Sequence, residues 1–206
     1  MNPKAEMFIG RLPAGHPVDL ADLIPSAFGV VDGFREKARA IRADPTLSKI
    51  GADAAVEKAL KSGPVAHLSQ MKASVDKRLA DAVKQRGVLR DRVLKAENFP
   101  EARKTEVRTW LRSLPEIERL KLVSSTNDPL ISEAVLGAPH YLSGLPQDVW
   151  SRAADAAVEA AYSEPLAQIA MLERSYSEAR AALQVAADDL RRESGFDTKD
   201  FEKLAA

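Results

Sequence analysis

The chain contains no cysteine. That single absence removes disulfides, thiol nucleophiles and thiolate metal sites, and it fits manufacture in a reducing cytoplasm. Aromatic residues make up only 5% of the sequence, so a bulky aromatic interior is out of reach and thin, alanine-rich helix contacts are favoured. No apolar run approaches the roughly 18 to 20 residues that span a bilayer. The first 25 residues lack a signal peptide's basic start and unbroken apolar core, since Gly10, Pro13, Gly15, Pro17 and Asp19 interrupt them. Chemistry-bearing motifs are missing as well. Nothing matches the phosphate-binding loops GxxxxGK[ST] or GxGxxG, and Ser143-Gly144 after Leu142 fails the GxSxG elbow. His16, His67 and His140 have no partner at metal-ligand spacing and read as surface or capping residues. No catalytic residue, metal ligand or cofactor is expected.

What the chain does have is helical periodicity. Its 206 residues, 45% apolar and 29% charged, suit a folded protein with a real core. Leu68, Lys72, Val75, Leu79, Ala82, Arg86, Leu89, Val93 and Ala96 recur in steps of four and three, the heptad seam of one long helix opened by Pro64. A second seam runs through Ile169, Leu172, Tyr176, Ala179, Leu183, Ala186 and Leu190. The expected fold is all-α: a long antiparallel, coiled-coil-like helical hairpin, a small multi-helix head and an extended N-terminal arm. Lys72 and Arg86 interrupt the first seam and either fix its register or face outward along their aliphatic stems.

Taken in order, residues 1–26 form the arm. Pro3, Gly10, Pro13, Gly15 and Pro17 argue against a regular element over 1–17, and a short helix from Asp19 stops at Pro25. The arm's apolar cluster Met7, Phe8, Ile9 and Leu12 either folds back on the chain's own helices or docks on a partner. Residues 27–63 carry short helices: Val30, Phe34, Ala38 and Ile41 mark one from about Ala27 to Arg42, and another covers about Asp53 to Lys61. The long helix occupies 64–98 and the head 99–162. In the head, Val107, Trp110, Leu111 and Leu114 share a face, Ser113 and Glu116 match a capping box, and Asp128-Pro129 starts a further helix. The second seam helix spans 163–194, with Pro165 either kinking or separating it from the head. A tail, 195–206, ends in a short turn with Phe201 and Leu204 tucked against neighbours.

Net charge is zero but unevenly spread. Residues 1–71 carry about +1, residues 72–121 about +6 and residues 122–206 about −7. A basic middle suggests either a nucleic-acid face, with Lys77, Arg78, Lys84, Arg90, Arg92, Arg103 and Lys104 as contacts, or basic and acidic blocks facing each other. Interleaved Asp76, Asp81, Asp91, Glu101 and Glu106, and the lack of stacking aromatics in the central helix, weaken the nucleic-acid reading.

Four stretches together resemble a known group of proteins. They are Ile41-Arg-Ala-Asp-Pro-Thr-Leu-Ser48, the charged long helix, Leu111-Arg-Ser-Leu-Pro-Glu-Ile-Glu-Arg-Leu120, and Asp128-Pro-Leu-Ile-Ser-Glu-Ala-Val-Leu-Gly-Ala-Pro139 followed by Leu142-Ser-Gly-Leu145. Over about residues 40–190 their style and order resemble small helical virion and assembly proteins of tailed phages and prophages. The resemblance implies a non-enzymatic head-interior, portal-associated or head–tail subunit, made in the bacterial cytoplasm and incorporated in a virion. Its partners would be other protein subunits, in a homo-oligomer or a hetero-assembly, and it carries over no functional residues. A scaffold-like or chaperone-like assembly factor and a DNA-contacting helical protein are the alternatives.

Overall fold

The structure, a computed structural model, describes residues 2–197. Every regular element among them is a helix: α1 (Pro3–Ile9), α2 (Val18–Ala43), α3 (Lys49–Lys61), α4 (Pro64–Leu94), α5 (Glu101–Ser113), α6 (Glu116–Ser125), α7 (Pro129–Leu136), a 3-10 turn (His140–Ser143) and α8 (Gln147–Ser194). The all-α expectation stands. The turn expected around Phe201 and Leu204 lies outside the described residues. No helix among the described residues is long and apolar enough to cross a membrane.

Two compact units divide the chain: residues 1–82 with 170–206, and residues 83–169. The boundaries fall inside α4 and α8, so neither seam helix belongs to one unit alone, unlike the expected partition into hairpin and head.

The expected arm is the first correction. Its proximal part is helical, because Pro3 sits in the first turn, where its missing N–H costs nothing, and the Asn2 side chain accepts from the Lys4 N–H. Gly10 ends α1. Phe8 is buried, stacking on Phe28 with ring centroids 6.2 Å apart, and Ile9 and Leu12 pack against the same core. Of the four docking candidates only Met7 is exposed. Phe8, Ile9 and Leu12 thus fold back on the chain's own helices, and Met7 alone of the cluster stays exposed.

Pro25 is the second correction. It lies inside α2 and does not end it. A helix-interior proline costs about 3 kcal/mol, which the buried face of α2 outweighs: Leu20, Ile24, Ala27, Phe28, Val31, Phe34 and Ala38 are all buried. Full burial of each large side chain contributes about 1.5–3 kcal/mol. α3 begins earlier than expected because the Ser48 hydroxyl accepts from the Gly51 N–H at 3.1 Å.

The core of the first unit joins that face of α2 to Phe8, Val56, Leu60, Leu68 and Val75, and to Tyr176, Leu183 and Leu190 of α8 with the small residues Ala179, Ala182 and Ala186 between them. Leu79 and Leu172 lie at its margin. Asp189 is buried at one edge and takes ion pairs from Lys4 (2.5 Å) and Arg192 (3.2 Å). At the seam positions Lys72 and Arg86 are exposed.

In the second unit, Leu111, Val123, Val135, Leu136, Leu145 and Ala154 form the core, with Val93, Val107, Leu114 and Trp150 packed on it. Asp128 caps α7 by accepting from the Leu130 N–H at 2.8 Å. The expected capping box at Ser113 does not form. Ser113 is the last residue of α5 and its hydroxyl donates to the Trp110 carbonyl at 2.6 Å, leaving Pro115 to open α6. Gly144 is left-handed (φ 67°) where a Cβ would meet Arg119 Nη1 at 3.0 Å, so glycine is favoured there. Leu89 is half-buried and Ile169 is buried. Within α8 the helix breaks at Tyr162 (φ −139°, ψ 33°). The break falls three residues before Pro165, whose ring clashes with the carbonyl four residues back.

Candidate helix-docking interface

The buried charged groups of the second unit are spent on structure. Glu133 accepts from the backbone N–H of Asn98 (3.1 Å) and of Phe99 (3.2 Å) and from Asn98 Nδ2 (3.0 Å). Lys104, also buried, lies 3.5 Å from Glu133 and 3.2 Å from Glu101. Arg108 donates to the Ala134 carbonyl at 3.1 Å and pairs with Glu101. Burial alone would push the Glu133 carboxyl up. The N–H donors of Phe99 and Asn98 and the Lys104 ammonium outweigh it and hold the carboxyl below its ordinary range. Burial pulls Lys104 down, but the Glu101 and Glu133 carboxylates leave it above its ordinary value. The result is a staple fixing the α4–α5 connection onto α5 and α7.

This geometry corrects the expected basic series. Lys104 is buried and held by Glu101 and Glu133. Arg78 pairs with Asp19 at 2.5 Å and also donates to the Tyr176 hydroxyl, while Arg90 pairs with Asp155 at 3.0 Å. Lys77, Lys84, Arg92 and Arg103 remain exposed. Facing charge blocks explain only part of the pairing: within the first unit Arg180 of the acidic block reaches Asp76 of the basic one at 3.0 Å, the reverse of the block signs.

Among the described residues, each unit also has a larger concave surface. The second unit has a groove of about 860 Å³ floored by Val135, Ala153 and Ala157 and edged by Ser124, Thr126, Asn127 and Arg152. The first unit has a more open recess of about 580 Å³ between α2 and the α3–α4 corner, lined by Gly29, Val30, Gly33, Lys37, Gly63 and His67 among others. Gly29 and Gly33 are both exposed in the interior of α2. A Cβ at either would meet no heavy atom within 4 Å. Each glycine costs the helix about 0.8–1.0 kcal/mol relative to alanine, and among the described residues no side chain packs where the methyl group would stand. Glycines four residues apart put two bare patches of backbone one above the other, where another helix can approach closely.

The glycine pair plays no part in the sequence reading of α2. The signal was there: both positions lie off the buried face marked by Ile24, Phe28, Val31 and Phe34. No family model, curated protein or solved structure matches this chain.

Proposed function

We propose that this chain is a non-enzymatic structural subunit of a larger assembly, acting through helix–helix contacts. The observation that carries the reading is the Gly29/Gly33 pair, two helix-destabilising residues on an exposed face of α2 with open space above them. Selection of glycine there has a physical reason if another helix lies on that face. Exposed apolar side chains add further contact material: Val18 and Ile50 in the first unit, Ile117 and Tyr141 in the second.

The setting within this reading is a tailed-phage virion, as a head-interior, portal-associated or head–tail component made in the bacterial cytoplasm. It rests on the likeness of residues 40–190 to such proteins in style and order. The antiparallel hairpin of the two seams belongs to the same reading and draws support from Leu68 and Val75 of α4 sharing one core with Tyr176, Leu183 and Leu190 of α8. Engagement of Arg78, Arg90 and Lys104 by the chain's own carboxylates favours a protein partner over DNA. Quantitative mass spectrometry of particles purified from the encoding phage or prophage tests the assignment. A fixed integer copy number per particle supports a structural subunit. Presence during assembly but absence from finished particles would replace it with an assembly factor.

A further inference from the structure

We infer that α1 is an exchangeable strap: in the assembled state, the groove that holds it on α2 and α8 takes α1 of a second copy of this chain. The inference rests on the assembly reading and adds to it the segment that passes between copies.

α1 completes the core of the first unit. Ala5 and Phe8 are buried, and Phe8 stacks on Phe28 of α2. The Asn2 amide donates to Asp32 of α2 at 2.9 Å, and the Lys4 ammonium pairs with the buried Asp189 of α8 at 2.5 Å. With α1 removed, Phe28 would lose its stacking partner and Asp189 would keep Arg192 alone. The groove therefore has to be filled, because an uncovered apolar face and a half-paired buried acid are both costly. Its contacts also identify what fills it: a segment with the sequence of α1. Seven residues are too few for a helix to persist alone in water, so α1 keeps its shape only when docked.

The linker bears on which chain supplies that segment. Residues 10–17 contain Pro13 and Pro17, and the residue before each, Leu12 and His16, is biased towards extended backbone. Against that preference, the closed strap needs a reversal. The His16 N–H donates to the Pro13 carbonyl at 3.2 Å, closing a turn with Gly15 at φ 79°. A Cβ at Gly15 would meet nothing within 4 Å, so glycine serves the backbone of the turn and no packing. Among the described residues, the hydrogen bonds of the linker all stay between Glu6 and the first turn of α2. Extended, residues 10–17 reach about 26–29 Å, more than twice the diameter of a helix. On a second copy every contact of α1 re-forms unchanged, while the left-handed turn is no longer needed. In dilute solution the turn keeps α1 on its own chain. The high local concentration of an assembly offsets the cost of association and favours exchange.

A chain without native cysteine makes the test clean. Asn2→Cys and Asp32→Cys are made separately in the full chain, each with and without Gly15→Val. The two single-thiol chains are unfolded together, refolded at high concentration and treated with a short bifunctional thiol reagent. A product joining one variant to the other reports α1 of one chain on α2 of the next. Valine at Gly15 strains the left-handed turn, and that strain is relieved when the linker opens. The expected result is a cross-linked pair whose population rises roughly 5- to 30-fold with Gly15→Val. No pair in either background would overturn the inference, and so would a pair whose yield ignores Gly15. Either result leaves particle copy number to judge the assembly reading. A Gly15-dependent pair from a chain absent from finished particles would sink that reading and keep this inference.

Discussion

The two units hold themselves together by different means. In the first, large apolar side chains from α1, α2, α3, α4 and α8 meet in one continuous core, and the buried acid Asp189 sits at its edge. In the second, a smaller apolar core is supplemented by a buried staple of Glu133, Lys104 and Arg108 that fixes the loop before α5. The difference teaches where each unit is vulnerable. An apolar core fails by cavity formation, whereas an ionic staple fails when one partner is removed or protonated.

The largest expected effect is therefore in the first unit. Phe28→Ala, at a fully buried position stacked on Phe8, should cost about 3–5 kcal/mol by denaturant unfolding. A loss under 1 kcal/mol or so would mean that the core is not packed as described. Next comes Glu133→Gln, which leaves Lys104 with Glu101 alone and weakens the acceptor for Phe99 and Asn98; a loss of about 1–3 kcal/mol is expected.

The same carboxylate sharpens the contrast through pH. The folded carboxyl of Glu133 titrates below its unfolded value. Its contribution is therefore fully present above the ordinary glutamate range and is lost as pH falls through the lower folded value. Unfolding free energy measured from neutral to acid pH should decline more steeply for the wild type than for Glu133→Gln. Equal slopes would remove Glu133 from the account of acid sensitivity. Asp128→Ala, which deletes the α7 cap, should cost about 0.5–2 kcal/mol. The smallest effect has the opposite sign. Gly29→Ala and Gly33→Ala should each stabilise the isolated chain, by up to about 1 kcal/mol, because the added methyl group meets nothing.

Much of the fold was legible because it is local. Heptad spacing located the buried positions Leu68, Val75, Tyr176, Leu183 and Leu190, and Asp128-Pro129 marked a true helix start. The errors came where tertiary burial outweighed a local rule. Pro25 reads as a stop, yet seven buried neighbours on α2 carry the helix through it. Pro3 reads as a breaker and is in fact an opener, since position within the turn decides proline's effect. The staple was invisible because Glu133 and Lys104 are 29 residues apart, and each alone looks like any residue of a solvated face. The docking face was half legible. A glycine pair at helical spacing can be seen in sequence, but that it faces open space can be seen only once α2 has been given a buried side.

The central claim, that α2 presents a glycine face to a second helix, is tested most directly by sedimentation equilibrium of the full chain beside Gly33→Leu. Gly33 is exposed and a Cβ there meets no heavy atom within 4 Å, so the variant should keep the helical circular dichroism of the wild type. The account predicts a wild type that sediments above the monomer mass and a variant that sediments as the monomer. Identical masses for the two, with both chains folded, would contradict it.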